Sequence, residues 1–476
     1  MFKINWSLSV LLSLFISSSA HTQNFSEHVK SFISLKEPVF AITDVSIVDG
    51  TGAPPRDSIT VVVKNGVISY VGPSDKVSIA KGTFVIDGKG QTLIPGFIML
   101  HEHMFYVKVI DGIYNTVNMT NTFPQMYLAG GVTTLRTAGS MDPYTDLNIN
   151  RMIKDGKMLG PKMDVTAPYI ERSNNFDIPQ MPILPAGQSP GAMVDFWANL
   201  GCTSFKVYMN ISKEDLREVL LHAHARGLKV TGHLCSVSYH EAAELGIDNL
   251  EHDFMASTDF IRDRTEDHCE FGKGNTALKV LDKDAPAMDS LMRYLIAKDV
   301  TLTTTLPVFA PLNNYELILG GGEQALLPAI LDSVKIFSYT DRHQDSLDNV
   351  FYQKELYWVK KFFSMGGKLV AGTDPTGTGR TIAGYSNMWT LEMLIKAGFT
   401  TSEAVNICTL RGAQYLNKQF DTGSIEKGKA ADLILMAGNL KTDPGSIRNI
   451  KYVIKDGIGY DSKAIFKSVK GKVGLY

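Results

Sequence analysis

Six side chains spread along the sequence are of types that can hold divalent cations, and each stands at or near the end of a short apolar run. His101 and His103 lie in Leu-Ile-Pro-Gly-Phe-Ile-Met-Leu-His-Glu-His, Lys206 in Phe-Lys-Val-Tyr, His233 in Val-Thr-Gly-His, His252 in Leu-Glu-His-Asp and Asp374 in Ala-Gly-Thr-Asp. Imidazole and carboxylate donors suit zinc and similar ions. An ammonium repels such an ion. Lys206 fits the set if its amine has added carbon dioxide to form a carbamate, an anion that can bridge two cations. Glu102 lies between two histidines that face one way along a strand, so it points the other way and reads as structural. The chemistry of such a set is hydrolysis, because adjacent cations acidify a shared water.

The elements that must carry these residues follow from the apolar runs. Strand candidates occur near Ile98, at Val132 to Leu135, Met163 to Ala167, Ser204 to Tyr208, Lys229 to Gly232, Asp248 to Leu250, Thr301 to Thr305 and Lys368 to Ala371. Helical patterns separate them. One opens on Ser212-Lys213-Glu214-Asp215, a capping signature, and closes near Gly227. Alternation of this kind predicts an α/β protein with a (β/α)8 TIM-type barrel, whose chemistry sits at the carboxyl ends of its strands. Long stretches from Phe254 to Asp289 and from Pro311 to Asp348 read as lids or substrate walls.

Both flanks of this region are strand-rich. Val61-Val62-Val63 and Val67 to Val71 enclose Lys64-Asn65-Gly66, a strong hairpin signal. Ala431 to Met436, Ile450 to Ile454 and Ala464-Ile465-Phe466 form a second cluster. Together they predict a small β-sandwich built from both ends. The expected division is a signal peptide at 1–20, sandwich at 21–92, barrel at 93–415 and sandwich again at 416–476.

The bulk composition is that of a globular protein. The chain has 476 residues, 44% hydrophobic and 20% charged, with a formal net charge of -2. No concentrated basic face points to nucleic acid. Lys3, the apolar Leu8 to Ile16 run and Ser18-Ser19-Ala20 make an export signal. The run is too short to span the roughly 30 Å of membrane hydrocarbon. The mature protein is therefore expected outside the cytoplasm, periplasmic or secreted, with no membrane span. Four cysteines make no disulfide framework in a chain this long. Cys202 and Cys408 read as buried thiols, whereas Cys235 and Cys269 could both lie near the barrel mouth and be joined.

In order along the chain, the motifs resemble those of the amidohydrolase superfamily, of the imidazolonepropionase-like and prolidase-like type. They are Ile94-Pro95-Gly96-Phe97 with His101-x-His103, Gly131 to Arg136, Phe205 to Tyr208, Gly232-His233, Glu251-His252, Gly372-Thr373-Asp374 and Gly423 to Leu433. The resemblance implies a pair of divalent ions, zinc by type. His101, His103 and Asp374 would hold the first, His233 and His252 the second, and carbamylated Lys206 with a hydroxide would bridge them. The family commonly has an acidic residue two positions before the first histidine. Here it is Met99, which leaves open what orients His101.

These residues imply hydrolysis of an amide, dipeptide or cyclic amide. Asp374 would carry a proton from the attacking hydroxide to the leaving nitrogen, and Tyr208 would stabilise the oxyanion. Arg172 and Arg380 are candidate contacts for a substrate carboxylate. The same site could serve a lactone or organophosphate ester instead. A deaminase is disfavoured by Lys206, and a binding protein without catalysis by the intact ligand set. The expected partner is a small molecule, with self-association left open.

Overall fold

The computed structural model describes residues 24–110, 113–173, 178–270, 272–310, 321–332, 345–376 and 381–474. The segment 1–20 read as a signal peptide, Arg380 and most of 311–348 lie outside these. The fold is mixed α/β.

Eight short parallel strands carry the functional region. They are β1 (Phe97–Glu102), β2 (Val132–Thr137), β3 (Lys162–Asp164), β4 (Ser204–Val207), β5 (Lys229–Gly232), β6 (Asn249–Glu251), β7 (Thr301–Thr304) and β8 (Lys368–Ala371). The first three pair in one sheet and the last five in another. A parallel bridge, Thr166 to Ser204, joins β3 to β4. Beyond β8, the amides of Thr373 and Asp374 donate to the carbonyl of His101 at 3.1 and 3.0 Å, which links the last strand to the first. Apolar strand residues such as Phe97, Leu135, Phe205, Val230, Leu250, Leu302 and Leu369 are fully buried, as expected of parallel strands covered by helices.

The helices between them start where the sequence supplies a cap. Ser212 accepts from the Asp215 amide at 3.0 Å to open Lys213–Ala225. Ser238 and Glu241 form a reciprocal capping box on Tyr239–Leu245. Such caps satisfy amides that the helix itself leaves unpaired.

A separate nine-stranded sheet draws strands from both ends of the chain. Its order is Ile33–Leu35, Ile458–Tyr460, Ile450–Lys455, Leu433–Ala437, Gln91–Pro95, Val39–Ile47, Arg56–Lys64 and Val67–Pro73, with Phe84–Asp87 paired to Val39–Ile47. Asn65 and Gly66 both adopt positive φ, 50° and 79°, as a two-residue hairpin turn requires. The sheet has its own core, including Phe40, Ile42, Val61, Leu433 and Leu435.

Ala464-Ile465-Phe466 is not a strand, as its composition suggests, but part of helix Ser462–Ser468. Asp461 caps it by accepting from the Ala464 amide at 3.0 Å. Three apolar residues cannot by themselves separate strand from helix. Among the described residues, no helix is long and apolar enough to cross a membrane.

Candidate metal centre

Strand alternation sets the first pair of ligand candidates. His101 is the penultimate residue of β1 and His103 follows its end, so both face one side. Glu102 faces the other, buried, where it accepts from Thr373 Oγ1 at 2.6 Å and Asn387 Nδ2 at 2.9 Å. Lys206 comes from β4, His233 from just beyond β5, His252 from just beyond β6, and Asp374 from beyond β8.

These side chains converge. His101 Nε2 and His103 Nε2 lie 3.8 and 3.3 Å from Asp374 Oδ1, and His252 Nε2 lies 3.9 Å from Asp374 Oδ2. Lys206 Nζ is 3.4 Å from His101 Nε2. The rings of His233 and His252 pack with centroids 4.4 Å apart. Ligating atoms of His101, His252 and Asp374 fall within 4.8 Å of one another, close enough to hold one ion. His252 and Asp374 both take left-handed backbone, φ 69° and 50°.

The donor set fits a cation. His101 Nδ1 lies 2.7 Å from Glu251 Oε2 and His103 Nδ1 lies 3.2 Å from the Gly139 carbonyl. A carbonyl only accepts, so His103 carries its proton on Nδ1 and turns the lone pair of Nε2 into the site. His252 Nδ1 meets Thr305 Oγ1 at 2.8 Å. Burial holds the imidazoles neutral: it pulls His103 down to about 4 and His233 to about 3. Neutral imidazole is the form that ligates. Burial also lowers the Lys206 ammonium, to about 8, which favours the free amine that a carbamate needs.

Glu251 supplies what Met99 does not. Met99 is buried in the core. Glu251, on β6, instead approaches His101 and also accepts from Arg136 Nη2 at 2.5 Å and from the Thr231 hydroxyl. Arg136 is itself buried and donates through Nε to the Leu100 carbonyl at 2.8 Å. A carboxylate behind an imidazole fixes its orientation and raises its basicity.

Above the ligand candidates lies a cavity with about 420 Å³ of empty volume, its open mouth included. Its floor holds His103, Lys206, His233, His252 and Asp374. Tyr208 lines it too, its ring 5.0 Å from His233 and 5.1 Å from Tyr169. Burial pushes the Tyr208 phenol up, so it keeps its proton. Apart from Thr376, which donates to Asp374 Oδ1 at 2.5 Å, and Tyr169, the remaining lining is apolar. Part of it is a hairpin, Phe105–Ile110 with Ile113–Asn118, which follows β1 directly.

Arg172 does not reach this cavity. Its guanidinium is held by Asp215, at 2.6 and 3.0 Å, and by the Pro185 carbonyl at 2.6 Å. So engaged, Arg172 braces the loop after β3, and its reading as a substrate contact stays an expectation. Arg380 falls outside the described residues. The stretch from Phe254 to Asp289 contributes no described cavity residue. It packs over the turn after β5 instead, through a Cys235–Cys269 disulfide, Arg264 donating to the Ser236 carbonyl at 2.7 Å, and Asp259 accepting from the Tyr239 amide at 3.0 Å. Cys202 and Cys408 are free and buried.

Glu251, Arg136, the hairpin and Tyr169 were not picked out from the sequence. Glu251 and Arg136 stood inside recognised motifs without a role. The hairpin did leave a signal, since Asp111-Gly112 sits between alternating runs. Tyr169 left none.

A family model described as the amidohydrolase family matches residues 92–459. The chain is 34% identical over 88 residues to an enamidase of Eubacterium barkeri, a stretch of 18% of this chain and 22% of that protein. It is 31% identical over 80 residues to an imidazolonepropionase of Myxococcus xanthus (strain DK1622), 16% of this chain and 19% of the relative. Each alignment thus spans less than a quarter of the relative's length. Among solved structures, a Xaa-Pro dipeptidase with bound methionine in its active site superposes with TM-score 0.64 at 18% identity, covering 89% of this chain and all of that one (100%). At that identity the likeness speaks to the fold.

Proposed function

The chain belongs to the amidohydrolase family, hydrolases of carbon–nitrogen bonds, and on that premise we propose that it hydrolyses an amide, dipeptide or cyclic amide of small size with the help of two divalent cations. The observation that carries this reading is the convergence of four imidazoles, a carboxylate and a lysine, with His101 and His103 oriented by Glu251 and the Gly139 carbonyl. The architecture we infer is a (β/α)8 barrel with a small β-sandwich, supported by the chain-order pairing of β1 to β8 and the hydrogen bonds from Thr373 and Asp374 back to His101. His101, His103 and Asp374 would hold one cation and His233 and His252 the other. Lys206 would bridge them once its free amine has added carbon dioxide and lost a proton.

Bound cations, zinc by the donor types, would acidify a water and polarise the scissile carbonyl. The chain's own groups do the rest. Asp374, in the cavity floor, takes the proton of the attacking water and returns it to the leaving nitrogen. Tyr208 donates a hydrogen bond from its hydroxyl to the carbonyl oxygen as charge develops there. For a substrate carboxylate the proposed contact is Arg380. Export to the periplasm or beyond is supported by the Lys3 to Ala20 segment and by the Cys235–Cys269 disulfide, a bond typical of oxidising compartments.

The test is elemental analysis of active protein together with a hydrolysis screen over dipeptides, N-acylated amino acids, lactones and phosphotriesters. About two cations per chain and turnover of amides are expected. Full activity without bound metal overturns the mechanism. Faster turnover of lactones or phosphotriesters than of any amide moves the reading to an esterase using the same site.

A further inference from the structure

The cavity has two unlike halves. Every titratable group among its described lining residues other than Tyr169 and Tyr208 lies on the floor, with the ligand candidates. The wall facing them is made by Phe105 and Val107 from the hairpin, Met141 from the loop after β2, and Ile178 and Met181 from the segment after β3. Three stretches distant in sequence thus bring apolar side chains to one place. Four of these five are more than nine-tenths buried, the exception being Met141. The hairpin and the third stretch are tied together, since the Thr116 amide donates to Gln180 Oε1 at 3.1 Å. Phe105, Val107 and Tyr169 form one apolar cluster, with Tyr114, Met141 and Tyr208 packed against it.

A metal floor needs no such wall to hold its ions. A wall of this composition repays an apolar group that enters and penalises a charged one, which would lose water and gain no partner. Two unbranched methionines among the five can adjust to side chains of differing shape.

Building on the hydrolase reading above, we propose that Phe105, Val107, Met141, Ile178 and Met181 select the substrate: the residue beside the scissile amide carries a large apolar side chain, aliphatic, thioether or aromatic. Discrimination by a hydrophobic pocket amounts to about 10- to 200-fold per methylene-scale difference.

The experiment uses metal-loaded full-length protein and two amide series, N-acetyl-Xaa and Xaa-alanine, with Xaa as Gly, Asp, Leu, Met or Phe. In at least one series kcat/KM for Leu, Met and Phe should exceed that for Gly and Asp by about tenfold or more. Equal or reversed preference in both series overturns the inference while leaving the hydrolase reading intact. If no amide is cleaved, the hydrolase reading falls, and the inference is read by equilibrium dialysis of the uncleaved amides: Leu should bind about tenfold more tightly than Gly, and equal binding overturns it. Met181→Ser lies outside any helix or strand, and Val107→Thr keeps the side chain's shape. Each should shrink the Leu-to-Gly ratio, in whichever readout applies, and an unchanged ratio in both overturns the assignment.

Discussion

Beneath the floor of the cavity, His101 is held by Glu251, which is held by Arg136, which is held by the Leu100 carbonyl, all of them buried. On the wall, Phe105, Val107 and Tyr169 form one apolar cluster, with Met141 packed against it. The two halves face the same small space under different physical rules. Hydrogen bonds are directional and costly to leave unmade, so the floor tolerates little displacement. Apolar packing depends on volume and accepts exchange of similar shapes. Lesions of the floor should therefore slow every substrate alike, and lesions of the wall should change which substrate is preferred.

The largest expected effect is at Lys206. Lys206→Met removes the proposed bridge and should lower kcat/KM about a thousandfold, corresponding to several kcal/mol of lost charge stabilisation, with metal content falling in parallel. Steady-state kinetics beside elemental analysis reads both, and normal turnover would end the carbamate hypothesis. Tyr208→Phe should cost about a hundredfold in kcat, with little change in KM, the scale of one oxyanion donor. A change in KM alone would instead assign Tyr208 to the wall.

Glu251→Gln comes next. It should weaken metal binding about 10- to 100-fold, as measured by competition with a chelator. It should also destabilise the fold by about 3 kcal/mol, since Arg136 is left buried without its counter-charge. Unchanged affinity would mean that His101 needs no carboxylate behind it. The smallest effect is at Arg172. Arg172→Ala should leave kcat/KM for a carboxylate-bearing amide within about twofold while lowering stability by about 1 kcal/mol through loss of its pair with Asp215. A large and selective loss for the carboxylate substrate would return Arg172 to the site.

The floor was legible in the sequence because β1, β4, β5, β6 and β8 each deliver one or two chemically distinctive residues at or near their ends, and a histidine or aspartate there stands out against an apolar run. Its supports were not. Arg136 and Glu251 are 115 residues apart and meet only because β2 and β6 share a buried interior. An apolar wall is harder still, because Phe105 or Met181 in a sequence looks like core. The long stretch after His252 shows the opposite error. Its length suggested a cavity wall, but Asp259, Arg264 and Cys269 fasten it over the turn after β5. In the end sheet, the Asn65-Gly66 turn was readable because both residues accept positive φ, whereas Ile465 gave no sign that Asp461 would start a helix.

The left-handed backbone at His252, Asp253 and Asp374 has a consequence for how far this protein can be improved. A residue with a β-carbon held there stores about 1–3 kcal/mol that packing elsewhere must offset. Selection for stability alone would remove it, by placing glycine or asparagine at these positions or by regularising the strand ends. The first choice deletes a candidate metal-ligating side chain at two of the three positions, and the second turns it away from its neighbours. Stabilising changes should therefore be sought in the nine-stranded sheet and the outer helices. The ends of β6 and β8 are where thermal tolerance and turnover trade against each other.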